Sequence, residues 1–345
     1  MRRATGSPTA GKRICVIPRV AGVGGMVSFL HKFSIGAQTR GVSVTSDAAD
    51  LPYQAALVIG GTRKLGSIYA MKRRGVRVVQ RLDGINWIHR VRPISFKHSI
   101  RAEYGNLNLA FIRRFLADKI VYQSGFSQRW WGELYGDLRK TACVVYNGVD
   151  LDVYSPGDER PTDVYRLLVV EASLGGGYEN GLENAVRLAE MLVLRGWPME
   201  VMVVGEVNPA LQGEWTARTT VPIRWSGLVP RQDIPGLDRS AHLLFSADIH
   251  PACPNSVIEA LACGLPVVSF DTGSLSELIT PDAGFIAPYG SNSWKLEPPD
   301  IAGLALGAET VLKAWPAFSA AARRRAQAVF GLDAMVEKYL DVLLG

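Results

Sequence analysis

No run of about 18 apolar residues occurs anywhere in the 345 residues, so the sequence offers no membrane-spanning helix. The opening MRRATGSPTAGKR is basic and polar with no apolar segment behind it, and reads as a flexible tail rather than a secretory signal. Cysteine is scarce. Cys15, Cys143, Cys253 and Cys263 are the only four, and none has the close pairing of a zinc site, which points to reduced thiols in a cytoplasmic protein. No carboxylate pair of the Asp-x-Asp kind is read at a strand end to hold a divalent ion, so no metal and no other cofactor is expected. The basic stretches do not interleave aromatics as nucleic-acid-binding strands do, so no nucleic acid is expected either. The run GVGGMV (Gly22–Val27) lacks the third glycine of a dinucleotide fingerprint, and no acidic residue follows a second strand at the usual distance. A dehydrogenase is therefore a poor reading.

What is present is an ordinary globular composition, 48% apolar and 20% charged, in a length that suits two domains of about 150 residues. Charge is unevenly distributed. Residues 1–150 hold 24 Lys and Arg against 8 Asp and Glu, whereas residues 151–345 hold 14 against 24. The first half is thus expected to meet something anionic, although solvated surface charge would give the same count. Short β-branched runs alternate with helix-length stretches. Strands are predicted at Ile14–Pro18, Ala55–Gly60, Val76–Gln80, Lys119–Ser124 and Ala142–Asn147, with helices at Met26–Thr39 and Ser124–Tyr135. After a Pro-, Asp- and Gly-rich connection (VDLDVYSPGDERPTD) the rhythm restarts. Strands follow at Arg166–Ala172, Met199–Gly205, Ile223–Gly227, His242–Ala247 and Pro266–Asp271, with helices at Leu182–Arg195 and Ser256–Cys263. From Ala317 to Leu344 two helices are parted by Gly331. The expectation is an α/β chain of two tandem Rossmann-like, doubly wound domains with a cleft between them. Its parts would be a tail (1–13), a first domain (14–155), a second domain (156–325) and a C-terminal helix (326–345) packing back toward the first.

Several residues could carry chemistry. In ACPNSVIEALACGLPVV (Ala252–Val268), Pro254 and Asn255 break the chain and Ser256 can start a helix, whose free N–H groups would suit a diphosphate. Glu259 stands one turn in, where it could accept ribose hydroxyls or close a capping box with Ser256. Gly24 and Gly25 lie between a strand and a helix, and so allow either close approach to a phosphate or only a tight turn. In QRLDGINWIHR (Gln80–Arg90), Asp83 and His89 follow a strand's carboxyl end and are the candidate catalytic contacts to an acceptor hydroxyl. Asp83-Gly84 could equally be a plain turn, and a single histidine a packed one. Trp130, Trp131 and Phe126 fall at helical spacing and read as core. The basic runs Arg113-Arg114 and Lys72-Arg73-Arg74 leave open a peripheral contact with anionic lipid headgroups, as at the inner face of a membrane.

PNSVIEALACGLPVVSFDTGSLSEL resembles the donor-nucleotide signature of glycosyltransferase family 4 (glycosyl transferases group 1), retaining enzymes of the GT-B fold. GVGGMV, VYQSGFSQRWW (Val121–Trp131), YNGVDLDVYSP (Tyr146–Pro156) and WSGLVPRQDIPGLDRSAHLLFSA (Trp225–Ala247) are similar to other segments of that family, in the same order. The resemblance implies transfer of a sugar from a nucleoside diphosphate to a carbohydrate or lipid-linked acceptor, as in polysaccharide biosynthesis. The donor would sit mostly on the second domain and the acceptor on the first. It implies that Glu259 holds the donor ribose, that Pro254–Ser256 approach sugar and phosphates, and that Gly227 and Leu228 belong to the donor side. Two positions depart from the pattern. Pro251 stands where the family has an earlier glutamate, with Asp248 and His250 nearby. EASLGGGYENG (Glu171–Gly181) has neither the arginine nor the lysine that the family places on the diphosphate. Backbone N–H groups at Gly175 and Gly176, and the side chains of Arg63, Lys64 and Arg231, are the expected substitutes. A nucleotide-sugar epimerase and a non-catalytic binding subunit on the same fold remain the alternatives.

Overall fold

The structure is a computed structural model that describes residues 11–22, 24–92, 95–175 and 179–345. Most of the expected tail, and Gly176 of the expected phosphate loop, lie outside these.

In chain order the first half contains β1 (Arg13–Ile17), α1 (Gly25–Gln38), β2 (Ser43–Thr45), β3 (Ala55–Val58), α2 (Leu65–Arg73) and β4 (Arg77–Leu82). It continues with α3 (Phe96–Phe111), β5 (Lys119–Tyr122), α4 (Gly125–Tyr135) and β6 (Ala142–Val144). The second half runs through β7 (Tyr165–Ser173), α5 (Glu179–Leu194), β8 (Met199–Glu206), α6 (Pro209–Arg218), β9 (Ile223–Gly227) and α7 (Ile234–Arg239). Next come β10 (Leu243–Phe245), α8 (Asn255–Ala262), β11 (Val267–Phe270), α9 (Leu275–Leu278) and β12 (Gly284–Ala287). The chain ends in α10 (Ile301–Lys313), α11 (Trp315–Val329) and α12 (Leu332–Leu344).

Every expected strand is present within a few residues of its place. The short strands β2 and β12 were not expected, because three or four residues are too few to show a pattern. Three helices begin one residue from their predicted starts, at Gly25, Gly125 and Asn255.

Each half is a six-stranded parallel sheet, ordered β2-β1-β3-β4-β5-β6 and β12-β11-β10-β7-β8-β9. The central strands are apolar on both faces because helices cover both, and Ala55–Val58 and Val267–Phe270 are buried throughout. In the first sheet the winding direction reverses between β1 and β3, and in the second between β7 and β10. At such a reversal the connections leave in opposite directions and a crevice opens at the strands' carboxyl ends. The loops that follow β1, β3 and β10, together with Val170–Ala172 near the end of β7, line one cleft between the halves.

The last helix belongs to the first sheet's core. Tyr339 of α12 is fully buried against Phe29 and Phe33 of α1, at ring-centroid distances of 5.0 and 5.9 Å. Arg40 just beyond α1 donates to Asp333 at 2.8 Å and Glu337 at 3.1 Å. This contact is close enough to need glycine. A Cβ on Gly36 would stand 2.5 Å from Cγ2 of Val336. We expect Gly36→Ala to lower stability by about 1–3 kcal/mol. A fall in the thermal midpoint that Val336→Ala partly reverses in the double variant would report this contact, and a Gly36→Ala midpoint equal to wild type would remove it.

Candidate functional site

The cleft has a volume of ≈ 710 Å³ and is walled by both domains. Its second-domain wall begins at α8. The N-cap position is Pro254, which offers no side-chain acceptor, and no acidic residue occupies the first turn. Pro254, Asn255 and Ser256 line the cleft, so an uncapped positive helix end faces it. A helix end of this kind favours an anion.

Glu259 lies one turn further in and also lines the cleft. It does not close a capping box. Its Oε1 accepts from Nζ of Lys32 on α1 at 2.9 Å, and the two side chains are only 10% and 9% exposed. The pair joins α8 of one domain to α1 of the other. Nothing in the local sequence announces it, since 227 residues separate the partners. Removing one member leaves a buried unpaired charge, which typically costs about 3–5 kcal/mol.

On the first-domain wall, Arg81 of β4 is 2% exposed and lines the cleft. Its Nη2 donates to Oδ1 of Asn147 at 2.9 Å, and its guanidinium lies 4.1 Å from the centre of the Phe29 ring. Its Nε has no hydrogen-bond partner, and no carboxylate stands within ion-pair distance of it among the described residues. Asn147 continues the chain of bonds by donating from Nδ2 to the carbonyl of Cys253 at 2.8 Å, just before α8. Arg81 thus presents a positive charge with no direct ion-pair partner among the described residues, with the Asp83 carboxyl the acidic group in its field. The sequence reading missed it because an arginine inside an apolar strand reads as an interruption of the core.

Asp83 follows β4 and lines the cleft. Burial raises its carboxyl pKa, against the opposing effect of Arg81. Its own carbonyl accepts from Oγ of Ser127 and from Nε1 of Trp131, both at 2.8 Å, which fixes the turn. Glu171 on β7 and Asp248 after β10 stand at the second sheet's reversal point and line the same cleft. Burial raises both carboxyls, and the charge of Asp248 raises Glu171 further, so the pair holds on to protons toward neutral pH.

One wall is aromatic and spans the domains. His250 stacks on Trp294 at 3.6 Å between ring centres and meets Trp87 edge-on at 5.3 Å. Trp130 lies 5.2 Å from Trp294. Burial lowers the His250 pKa to about 4, which keeps the ring neutral. Further bonds hold the halves together. Arg92 pairs with Glu179 at 3.1 Å, and Glu277 accepts from the Gly125 amide at 2.8 Å and from Arg129 at 3.0 Å.

Of the residues singled out from sequence, Gly24, Gly25, Asp83, Leu228, Arg231, Pro254, Asn255, Ser256 and Glu259 come together around the cleft. His89 does not. It is held by Glu103 at 2.8 Å with its side chain 4% exposed, away from the cleft lining. Arg63 and Lys64 are also outside the lining; beside them the Thr62 amide donates to Oδ1 of Asn108, on the buried side of α3, at 3.0 Å. Gly175 and Gly227 are not part of the lining, and Gly227 has a φ of 63°, which marks a turn. Arg113 is not a surface cation either, since Tyr122 and the Gly136 carbonyl hold it buried at 2.8 and 2.9 Å. Trp130 and Trp131 are buried as expected, with Trp130 also reaching the cleft.

Residues 170–313 match the family described as glycosyl transferases group 1. A curated relative, the GDP-mannose-dependent alpha-(1-6)-phosphatidylinositol dimannoside mannosyltransferase of Mycobacterium tuberculosis (strain ATCC 25177 / H37Ra), is 28% identical over 181 residues. The match takes in 49% of this chain and 45% of that protein, so the chain spans less than half the length of the curated relatives it matches. Sucrose-phosphate synthase from Thermosynechococcus elongatus is similar in structure, with a TM-score of 0.73 and 15% identity over 96% of this chain and 98% of its own. Anabaena HepE, solved with UDP and glucose, gives 0.68 and 16% over 96% and 99%. WaaG, a glycosyltransferase of lipopolysaccharide biosynthesis, gives 0.67 and 18% over 96% and 100%. The two-lobed GT-B fold is therefore shared along nearly the whole chain.

For the buried pair we expect Lys32→Met to reduce stability by about 3–5 kcal/mol. Lys32→Met with Glu259→Gln should recover much of that loss in urea-unfolding titrations. A double variant no more stable than the single one would show that the two side chains act independently.

Proposed function

We propose that this chain, whose residues 170–313 belong to the glycosyl transferases group 1 family, moves a sugar from a nucleoside-diphosphate sugar to a carbohydrate, lipid-linked or polysaccharide acceptor with retention of configuration. The observation that carries the reading is the uncapped amino end of α8 opening into an interdomain cleft, with the buried charge of Arg81 in the facing wall. A diphosphate fits that combination, because backbone N–H groups and a desolvated guanidinium both stabilise an anion most where water is excluded. Arg231, which also lines the cleft, adds a second cation.

In this reading the bond between the sugar's anomeric carbon and the diphosphate oxygen breaks on the face that the acceptor approaches. The acceptor hydroxyl forms the new bond on that same face, and its proton passes to the departing diphosphate oxygen. Asp83 positions the acceptor hydroxyl from the first domain. The reading needs no metal and no cofactor beyond the nucleotide-sugar co-substrate. The free state of all four cysteines supports a cytoplasmic location. Among the described residues no helix is long and apolar enough to cross a membrane.

Glu259 is engaged by Lys32, so a ribose would have to share or replace that contact. We expect Glu259→Ala to raise the donor KM about tenfold or more, the loss of about one charge-assisted hydrogen bond. GDP-mannose is the first donor to try, followed by UDP- and ADP-sugars, each with and without sugar and lipid-linked acceptors. Equal kinetics in wild type and variant would take Glu259 out of the site. Product from donor alone would favour an epimerase, and tight donor binding without turnover a non-catalytic subunit.

The raised carboxyls of Glu171 and Asp248 set the sign of a pH effect. Below neutrality the pair is largely protonated. As pH rises through neutrality it becomes fully charged beside the diphosphate, and donor affinity weakens. The donor KM should therefore climb between about pH 6 and about pH 9, and Glu171→Gln with Asp248→Asn should flatten the climb. A flat wild-type profile would place the pair outside the donor's reach.

A further inference from the structure

α3 stands between the cleft and solvent. Gly105 and Leu109 line the cleft, and Ala102 and Asn106 are buried on the same inner side. The outer side is unusual. Phe96, Ile100, Tyr104, Leu107, Phe111 and Phe115 are between 43% and 80% exposed. They follow one another at steps of four, four, three, four and four residues, which places them in a single stripe along the helix. The stripe continues through the wider turn of Ile112–Leu116, where the rings of Phe111 and Phe115 are 5.1 Å apart. Isolated exposed apolar residues are ordinary, but a contiguous stripe of six large ones marks a surface that something covers.

The charges beside it indicate what does. Lys97 and Arg101 are exposed and lie one residue after Phe96 and Ile100, so they form a basic edge along the stripe. Arg114 is exposed at its far end. Glu103, the only acidic residue in α3, is held against Arg90 at 2.6 Å and His89 at 2.8 Å, and those bonds lower its carboxyl to about 2. No acidic side chain of the helix is left to oppose an anionic surface. The surrounding half carries 24 basic against 8 acidic residues. A second copy of the chain would bring the same cations against one another, which disfavours a symmetric dimer through this face.

We infer that the outer face of α3 docks on an anionic lipid bilayer, with the aromatic and aliphatic stripe entering the headgroup region and Lys97, Arg101 and Arg114 meeting lipid phosphates. The inference deepens the proposed transfer reaction by making its acceptor membrane-borne. The same helix that touches the bilayer lines the acceptor side of the cleft, so a lipid-carried sugar need only reach around its rim.

The test is sedimentation of the full chain with vesicles of phosphatidylcholine alone and with about 30% phosphatidylglycerol. It uses neither donor nor acceptor, so its outcome is independent of whether sugar transfer is observed. Wild type should bind the anionic vesicles about tenfold more tightly than the neutral ones and release on addition of about 0.5 M salt. Ile100→Ser with Leu107→Ser and Phe111→Ser should reduce binding about tenfold at an unchanged thermal midpoint, because all three side chains are exposed. Lys97→Glu with Arg101→Glu should abolish the preference for anionic lipid. Absence of vesicle binding, or equal binding by wild type and both variants, would overturn the inference. So would a dimer in sedimentation velocity that the triple variant dissociates and that does not bind vesicles.

Discussion

A lysine ammonium and a glutamate carboxylate, each about one-tenth exposed, meet across the junction of the two sheets, and the geometry of the cleft depends on them. Neither charge is tolerable alone at that depth, so α1 and α8 are held together wherever the pair persists. Their alignment has an electrostatic result. α1 starts at Gly25 and α8 at Asn255, neither has an acidic residue in its first turn, and both starts line the cleft. Two positive helix ends therefore converge on one volume, and the Lys32–Glu259 pair contributes no net charge to cancel them. Arg81, buried in the facing wall, adds to the same field. Glu171 and Asp248 oppose it only as far as they are ionised, and their surroundings keep them partly protonated.

The two sheets supply the frame for this arrangement through winding rather than through particular side chains. In each sheet the chain builds outward from one strand, returns, and builds the other way. The crevice that results is a property of order alone. The aromatic stack of His250, Trp294, Trp87 and Trp130 then seals one wall with residues from both halves, so the cleft is bounded by packing as well as by charge.

Much of this was legible in the residues. Ten strands stood out because buried parallel strands are continuous apolar runs bounded by turns. The α8 segment stood out because proline and asparagine break the chain just before an apolar helix. What stayed hidden shares one physical cause, the dependence on distant partners. Glu259 reads as a ribose contact or a cap until Lys32 arrives from the other domain, and His89 reads as an acceptor contact or a packed ring until Glu103 holds it. The α3 stripe is the instructive case. Apolar residues at steps of three and four mark the face of a helix that avoids water, and in most helices that face is the core side. Here the buried side is made of Ala102, Asn106, Asn108 and Leu109 instead, with asparagines engaged in hydrogen bonds to backbone. Periodicity finds the stripe but cannot tell which way it points.

The return of α12 to the first sheet carries a consequence for biosynthesis. Residues 332–344 cover Phe29 and Phe33, and they leave the ribosome only after the whole second domain has been made. The second domain has nearly all of its own core by then, whereas the first exposes the apolar face of α1 throughout elongation. During that interval the first domain is the aggregation-prone partner, and its maturation is post-translational even though it is synthesised first.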